Sequence, residues 1–123
     1  MSKTIGYFEG TDSTWLTELQ LLGHHTLPLS NGVDGHGLDV QHLNPQNHVD
    51  AVIGYLHKLV PSPGQELTPL ELLHATRIYE IAVFIACPRG SHDIARRRLG
   101  ELPPNAQLVD PADMLKAVAA KLR

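Results

Sequence analysis

The sequence predicts a three-layer α/β/α sandwich, with about five parallel strands in one sheet and helices on both faces. Three observations carry this expectation. Short apolar or β-branched runs alternate along the chain with stretches of helical periodicity, the arrangement that makes crossover connections and parallel pairing. Two of the runs, Val49–Leu56 and Ile81–Cys87, are nearly continuous in apolar residues, as strands covered on both faces are. Four of the runs are followed by polar sequence containing glycine, at the strand ends where open α/β sheets bind ligands.

Thr4–Phe8 reads as the first strand, and Glu9-Gly10-Thr11-Asp12 follows it. Asp12 or Ser13 can cap a helix running to about Leu22. Trp15, Leu16, Leu19 and Leu22 fall on one face of it, and Gly23 suits the position just past its end. His25–Leu29 is a short second strand, and Pro28 suggests an edge position because proline cannot donate to a ladder. Residues 30–48 are irregular. Leu38, Val40 and Leu43 fit one short helical turn or an extended crossover.

The third strand, Val49–Leu56, carries Gly54 and leads to His57-Lys58. Pro61-Ser62-Pro63-Gly64 breaks the chain. Thr68-Pro69-Leu70-Glu71 has the form of a capping box with proline at the first helical position, so a helix is expected to about Tyr79. Ile81–Cys87 is the fourth strand, with Pro88-Arg89-Gly90-Ser91 after it. A helix from Ser91 or Asp93 should reach Leu102. Ala106–Val109 is the fifth strand, and Asp110 caps a last helix with Met114, Leu115, Val118 and Leu122 at helical spacing. This order favours strand arrangement 2-1-3-4-5, Rossmann-like and of the flavodoxin-like kind, with its topological switch point between the first and third strands.

Bulk properties bound the function. A chain of 123 residues makes one domain, residues 1–123. At that size it buries roughly two-thirds of its unfolded surface, enough for a core without metal or disulfide staples. A formal charge of −3 argues against a nucleic-acid partner. One cysteine fits a reducing compartment. The start of the chain runs straight into a strand, so no signal peptide is expected. The longest apolar run, Ile81–Cys87, is far short of the ~20 residues that span a bilayer. The expectation is a cytoplasmic protein with no membrane partner.

Glu9 and Asp12, two carboxylates at a strand end beside a helix N-terminus, can bind a cation, accept a sugar hydroxyl, or act as nucleophile and base at a glycosidic bond. The plainer alternative makes Asp12 a helix cap and Glu9 a solvated loop residue. The string over residues 5–12 resembles the opening of a Toprim domain. That family also has a later Asp-x-Asp at a strand end. The corresponding places here read Gly54-Tyr55-Leu56-His57 and Cys87-Pro88-Arg89-Gly90, which excludes it.

Asn31, Gly32, Asp34, Gly35 and His36 form a glycine-rich loop that permits close backbone approach to a ligand, or serves as a connector. Asp34-x-His36 resembles the start of the Asp-x-His-x-x-Gly signature of cobalamin-binding domains. Asp39 stands where that signature has glycine, and the family's later elements are absent. Of eight histidines, none shows metal-ligand spacing, and no metal site is expected. His57 and His92, near the predicted rim, are the candidate acid–base groups. Arg89, with Ser91 and the amides opening the next helix, can hold a phosphate or carboxylate. Cys87 reads as a buried small hydrophobe or as a thiolate at a helix start. Arg96-Arg97-Arg98 points around a helix rather than along one face, and fits a solvated or ion-paired surface.

No Gly-x-Gly-x-x-Gly, Walker loop or Gly-x-Ser-x-Gly elbow occurs, so the sequence specifies no cofactor. The receiver-domain pattern of this fold is also missing. Two function classes remain. One is a binder of a small polar or phosphorylated ligand, nucleotide- or sugar-phosphate-like. Asp12, Asn31, Gly32, Asp34, Gly35, His36, Lys58, Arg89 and Ser91 would contact that ligand. Any catalysis would be a transferase or hydrolase reaction at an anomeric carbon, with Glu9 as nucleophile or base and His57 as proton donor. Deoxyribosyltransferase-like proteins use this fold class for such chemistry, an analogy of fold alone. The other class is a non-catalytic assembly or regulatory subunit, with Trp15 and residues 30–48 at a homodimer contact.

Overall fold

A computed structural model describes residues 3–30, 37–40, 43, 45–56, 74–99 and 104–122. The loop readings at 31–36, the pair His57-Lys58 and the capping box at 68–71 lie outside these residues. The described strands are β1 (Thr4–Phe8), β2 (His25–Ser30), β3 (Leu38–Asp39), β4 (Ala51–Tyr55), β5 (Ala82–Ala86) and β6 (Ala106–Val109). They form one sheet in the order β3-β2-β1-β4-β5-β6, and every pairing is parallel. Apart from the two-residue β3, this is the predicted arrangement. The described helices are α1 (Ser13–Leu21), α2 (His74–Ile78), α3 (His92–Leu99) and α4 (Met114–Leu122). None of them is long and apolar enough to cross a membrane.

Strand alternation sorts the core into two halves. On one face Phe8, Leu29, Val52, Val83 and Ile85 pack with Val40, Leu43 and Ala75 of α2. On the other, Ile5, Ala51, Ile53, Phe84 and Val109 pack with Trp15 and Leu19 of α1 and Met114, Val118 and Leu122 of α4. Both faces of the central strands are therefore covered, which is why β4 and β5 are apolar at nearly every position.

Local chemistry sets the element ends. Asp12 Oδ1 accepts from the Thr14 amide at 2.8 Å, and Gly23 closes α1 at φ +93°. Leu22, expected on the buried side of α1, is instead 62% exposed, because it is the C-cap and lies beyond the last buried turn. One further expectation is corrected. β2 is not the outermost strand, since β3 pairs with Leu29 and Ser30, although β3 stops short of Pro28. Of the two alternatives for Leu38, Val40 and Leu43, residues 38–39 take the extended one, and a short helical turn follows at Pro45–Asn47. Gly37, at φ +85°, explains the entry into β3. A Cβ there would stand 2.5 Å from the Pro28 carbonyl oxygen.

Candidate functional site

A parallel sheet puts all its strand carboxyl ends on one edge. The chain leaves β1 toward β2 in one direction and leaves β4 toward β5 in the other, so the crevice lies between β1 and β4. After Phe8 the chain turns sharply. The Thr11 amide and hydroxyl both donate to the Phe8 carbonyl, at 3.2 and 2.6 Å, and Gly10 takes φ +84°. This turn leaves Glu9 exposed at the end of β1 and puts Asp12 at the N-terminus of α1. Asp12 does serve as the helix cap. A ligand contact would fall to its second oxygen.

Tyr55 completes the described part of the rim. It is the last residue of β4, on the same strand face as Ala51 and Ile53, which is the α1 face. Its ring meets that of Trp15 with centroids 5.5 Å apart and planes tilted by 34°. Partial burial pushes the phenol above its usual pKa, and the nearby Asp12 carboxylate adds to the effect, so the hydroxyl stays protonated. The sequence reading missed this residue. Its signal was the strand period: positions 51, 53 and 55 share the α1 side, and the last of them ends the switch-point strand.

Arg89 and Ser91 lie at the same edge but beyond β5, about 10 Å from the end of β1 at two strand spacings. Three of the amides expected to be open for an anion are already bonded. Arg89 N donates to Asp110 Oδ2 at 3.0 Å and Ser91 N to the Pro88 carbonyl at 2.8 Å. The His92 amide bonds the Arg89 carbonyl. The Arg89 guanidinium holds Asp113 at 2.6 Å, with both side chains well exposed. A phosphate here would have to displace two of the protein's own carboxylates.

Asp110 is the centre of that arrangement. Its other oxygen accepts from Ala112 N at 2.9 Å, so one carboxylate caps the turns that open both α3 and α4. The Ala112 and Arg89 amides hold its pKa below the ordinary value, with smaller help from the Arg89 and His92 charges. His92 Nε2 lies 2.7 Å from the Cys87 carbonyl. A carbonyl only accepts, so this nitrogen carries the proton, and His92 presents no free base through it. Cys87 itself is buried. Desolvation raises its pKa and Asp110 raises it further, the reverse of an activated thiolate.

Glu9, Asp12, Arg89 and Ser91 thus share one edge of the sheet, with Glu9 and Asp12 adjacent to the crevice. Among the described residues, no three His, Cys, Asp or Glu side chains converge as metal ligands would. At the opposite edge, a hollow of about 280 Å³ is lined by Leu22, His24, Ala119 and Leu122. No protein-family model matches this chain, and no curated protein does.

Proposed function

We propose that this protein binds a small polar ligand, of the nucleotide or sugar-phosphate kind, in the crevice outside the carboxyl ends of β1 and β4. The observation that supports this best is the reversal of strand order between those two strands. A glycine turn there leaves Glu9 exposed and Asp12 at a helix N-terminus. In this reading Glu9 and Asp12 take the ligand's hydroxyls. His57, Lys58 and the glycine loop Asn31–His36 complete the pocket from the neighbouring connections. If the protein is an enzyme, Glu9 is the nucleophile or base and His57 the proton donor at a glycosidic bond. Its setting is the cytoplasm.

Thermal-shift screening against nucleotides and sugar phosphates tests the binding reading. Ligand at a hundred times its dissociation constant should stabilise the fold by about 2.7 kcal/mol. Turnover, where found, should be abolished by Glu9→Gln with folding intact; a folded variant of full activity removes Glu9 from its role.

A second reading is a homodimeric assembly subunit. It is favoured by Leu21 and Leu22, which stand 77% and 62% exposed at the end of α1, with Leu22 on the rim of the 280 Å³ hollow. A flat thermal-shift panel together with a dimer by light scattering would select it.

A further inference from the structure

We infer that the outer edge of β6 pairs with the same strand of a second copy, antiparallel about a twofold axis at Gln107, so that two sheets join into one. This goes beyond the crevice reading and does not depend on it, because β6 lies two strands away from β4. Three observations carry it. The hydrogen-bond phase leaves one side of β6 unused. The Asn105 and Val109 carbonyls accept from Val83 N and Cys87 N, so residues 105, 107 and 109 turn their backbone groups toward β5. Ala106 and Leu108 turn theirs outward, and among the described residues neither has a partner there. The two edges also differ. The far edge of the described sheet is the two-residue β3, next to Pro28 of β2, and short strands and proline both blunt an edge. Ala106–Val109 has no proline, no charge and no bulge in its register. Finally, Gln107 is exposed on the α4 side of the sheet, while α4 packs inward on β5 and α1.

A twofold contact requires a surface complementary to itself. β6 meets this requirement. Ala106 faces Leu108 of the second copy and Leu108 faces Ala106 of the second copy, and each pair exchanges two bonds, which uses every outward group of the strand. Asp110 falls opposite Pro104 of the second copy, so no carboxylate meets another. At the axis two Gln107 carboxamides meet, each carrying a donor and an acceptor. Four residues a side make a small interface, so the dimer is weak and forms in concentrated protein, while in dilute solution the edge is open.

Disulfide trapping and charge pairing test this. At the axis the Cα atoms of the two Gln107 residues would stand about 4.5 Å apart, within disulfide reach. Gln107→Cys, in concentrated protein with a thiol oxidant, should give a covalent dimer on a non-reducing gel, with Leu21→Cys lagging far behind. The buried Cys87 stays out of the reaction. Gln107→Glu and Gln107→Lys should each weaken the dimer by about fivefold in light scattering, and an equal mixture of the two should restore it. Gln107 is exposed, so these variants keep the fold. Faster trapping at Leu21→Cys overturns the β6 contact in favour of the Leu21–Leu22 surface. A mixture no more dimeric than either charged variant overturns it, and so does a monomer at about 1 mM, the weak end of measurable association. None of these results touches the crevice reading, which ligand binding decides.

Discussion

At the scale of single residues, glycine is where sequence and structure diverge most usefully. Gly54 stands in an apolar strand leading to the predicted crevice, and in sequence it is indistinguishable from a ligand-loop glycine. The structure gives it a packing task. A Cβ at Gly54 would lie 2.7 Å from Phe8 Cδ2 and 3.3 Å from Phe8 Cβ, in the middle of a core half. Gly10 has the opposite character, with φ +84° and no atom within 4 Å of a built Cβ. Gly54→Ala should therefore cost about 1–3 kcal/mol by overpacking. Gly10→Ala should cost about 1 kcal/mol, from backbone strain alone. Urea denaturation measures both. The added change Phe8→Leu should recover part of the loss in Gly54→Ala and none in Gly10→Ala, because only the first clashes with that ring. This distinction depends on which side chain lies across the sheet, and no local sequence pattern carries that information. Tyr55 differs: its place on the α1 side at the end of β4 follows from the strand period, and only its ring contact with Trp15 waits on the fold.

At the scale of elements, boundaries were legible wherever a chemical stop is written into the chain. β1 and β6 begin and end at the predicted residues, each followed by an acidic or glycine-bearing turn. β3 was not legible, since two residues show no period. Caps were legible singly but not jointly. Asp110 was expected to cap the last helix; its simultaneous hold on Arg89 N requires knowing that β5 and β6 end side by side.

That double cap makes a pH prediction. The folded-state pKa of Asp110 is depressed from 3.8, so the unfolded chain takes up the proton first as pH falls. Stability from this group is present above the unfolded value and is lost as pH drops through the folded one. Urea midpoints taken from pH 6 to pH 2.5 should fall less steeply near the acid end for Asp110→Asn than for the parent. Parallel curves would show that Asp110 contributes nothing to the acid limb. A second prediction concerns the end of α2, where Glu80 takes φ +55° while its amide and that of Ile81 close the helix onto the Arg77 and Thr76 carbonyls. This is the left-handed cap position that favours glycine. Glu80→Gly should raise stability by about 0.5–1 kcal/mol, relief of backbone strain outweighing the greater freedom of the unfolded chain.

At the scale of the whole molecule, the sheet sets a hierarchy of protection that hydrogen exchange can read. Among the described residues, β1, β4 and β5 are bonded on both sides, whereas β6 is bonded on one. In the β5–β6 ladder Val83 N donates to the Asn105 carbonyl and Cys87 N to the Val109 carbonyl. In a parallel pair this phase turns the amides of Gln107 and Val109 toward β5 and those of Ala106 and Leu108 away from it. The amides of Ala51–Tyr55 should exchange only by global unfolding, and those of Ala106 and Leu108 should exchange fast at any stability. The second pair also discriminates between the two functional readings at protein concentrations where a dimer would form. An open edge predicts fast exchange at Ala106 and Leu108 that does not change with concentration. A copy of the chain adding its own strand to β6 would slow both, in step with dimer formed. Contact through Leu21 and Leu22 would leave them fast while the α1 end slows instead. Slow, concentration-independent exchange at Ala106 and Leu108 would give β6 a second neighbour within the same chain, beyond the six described strands.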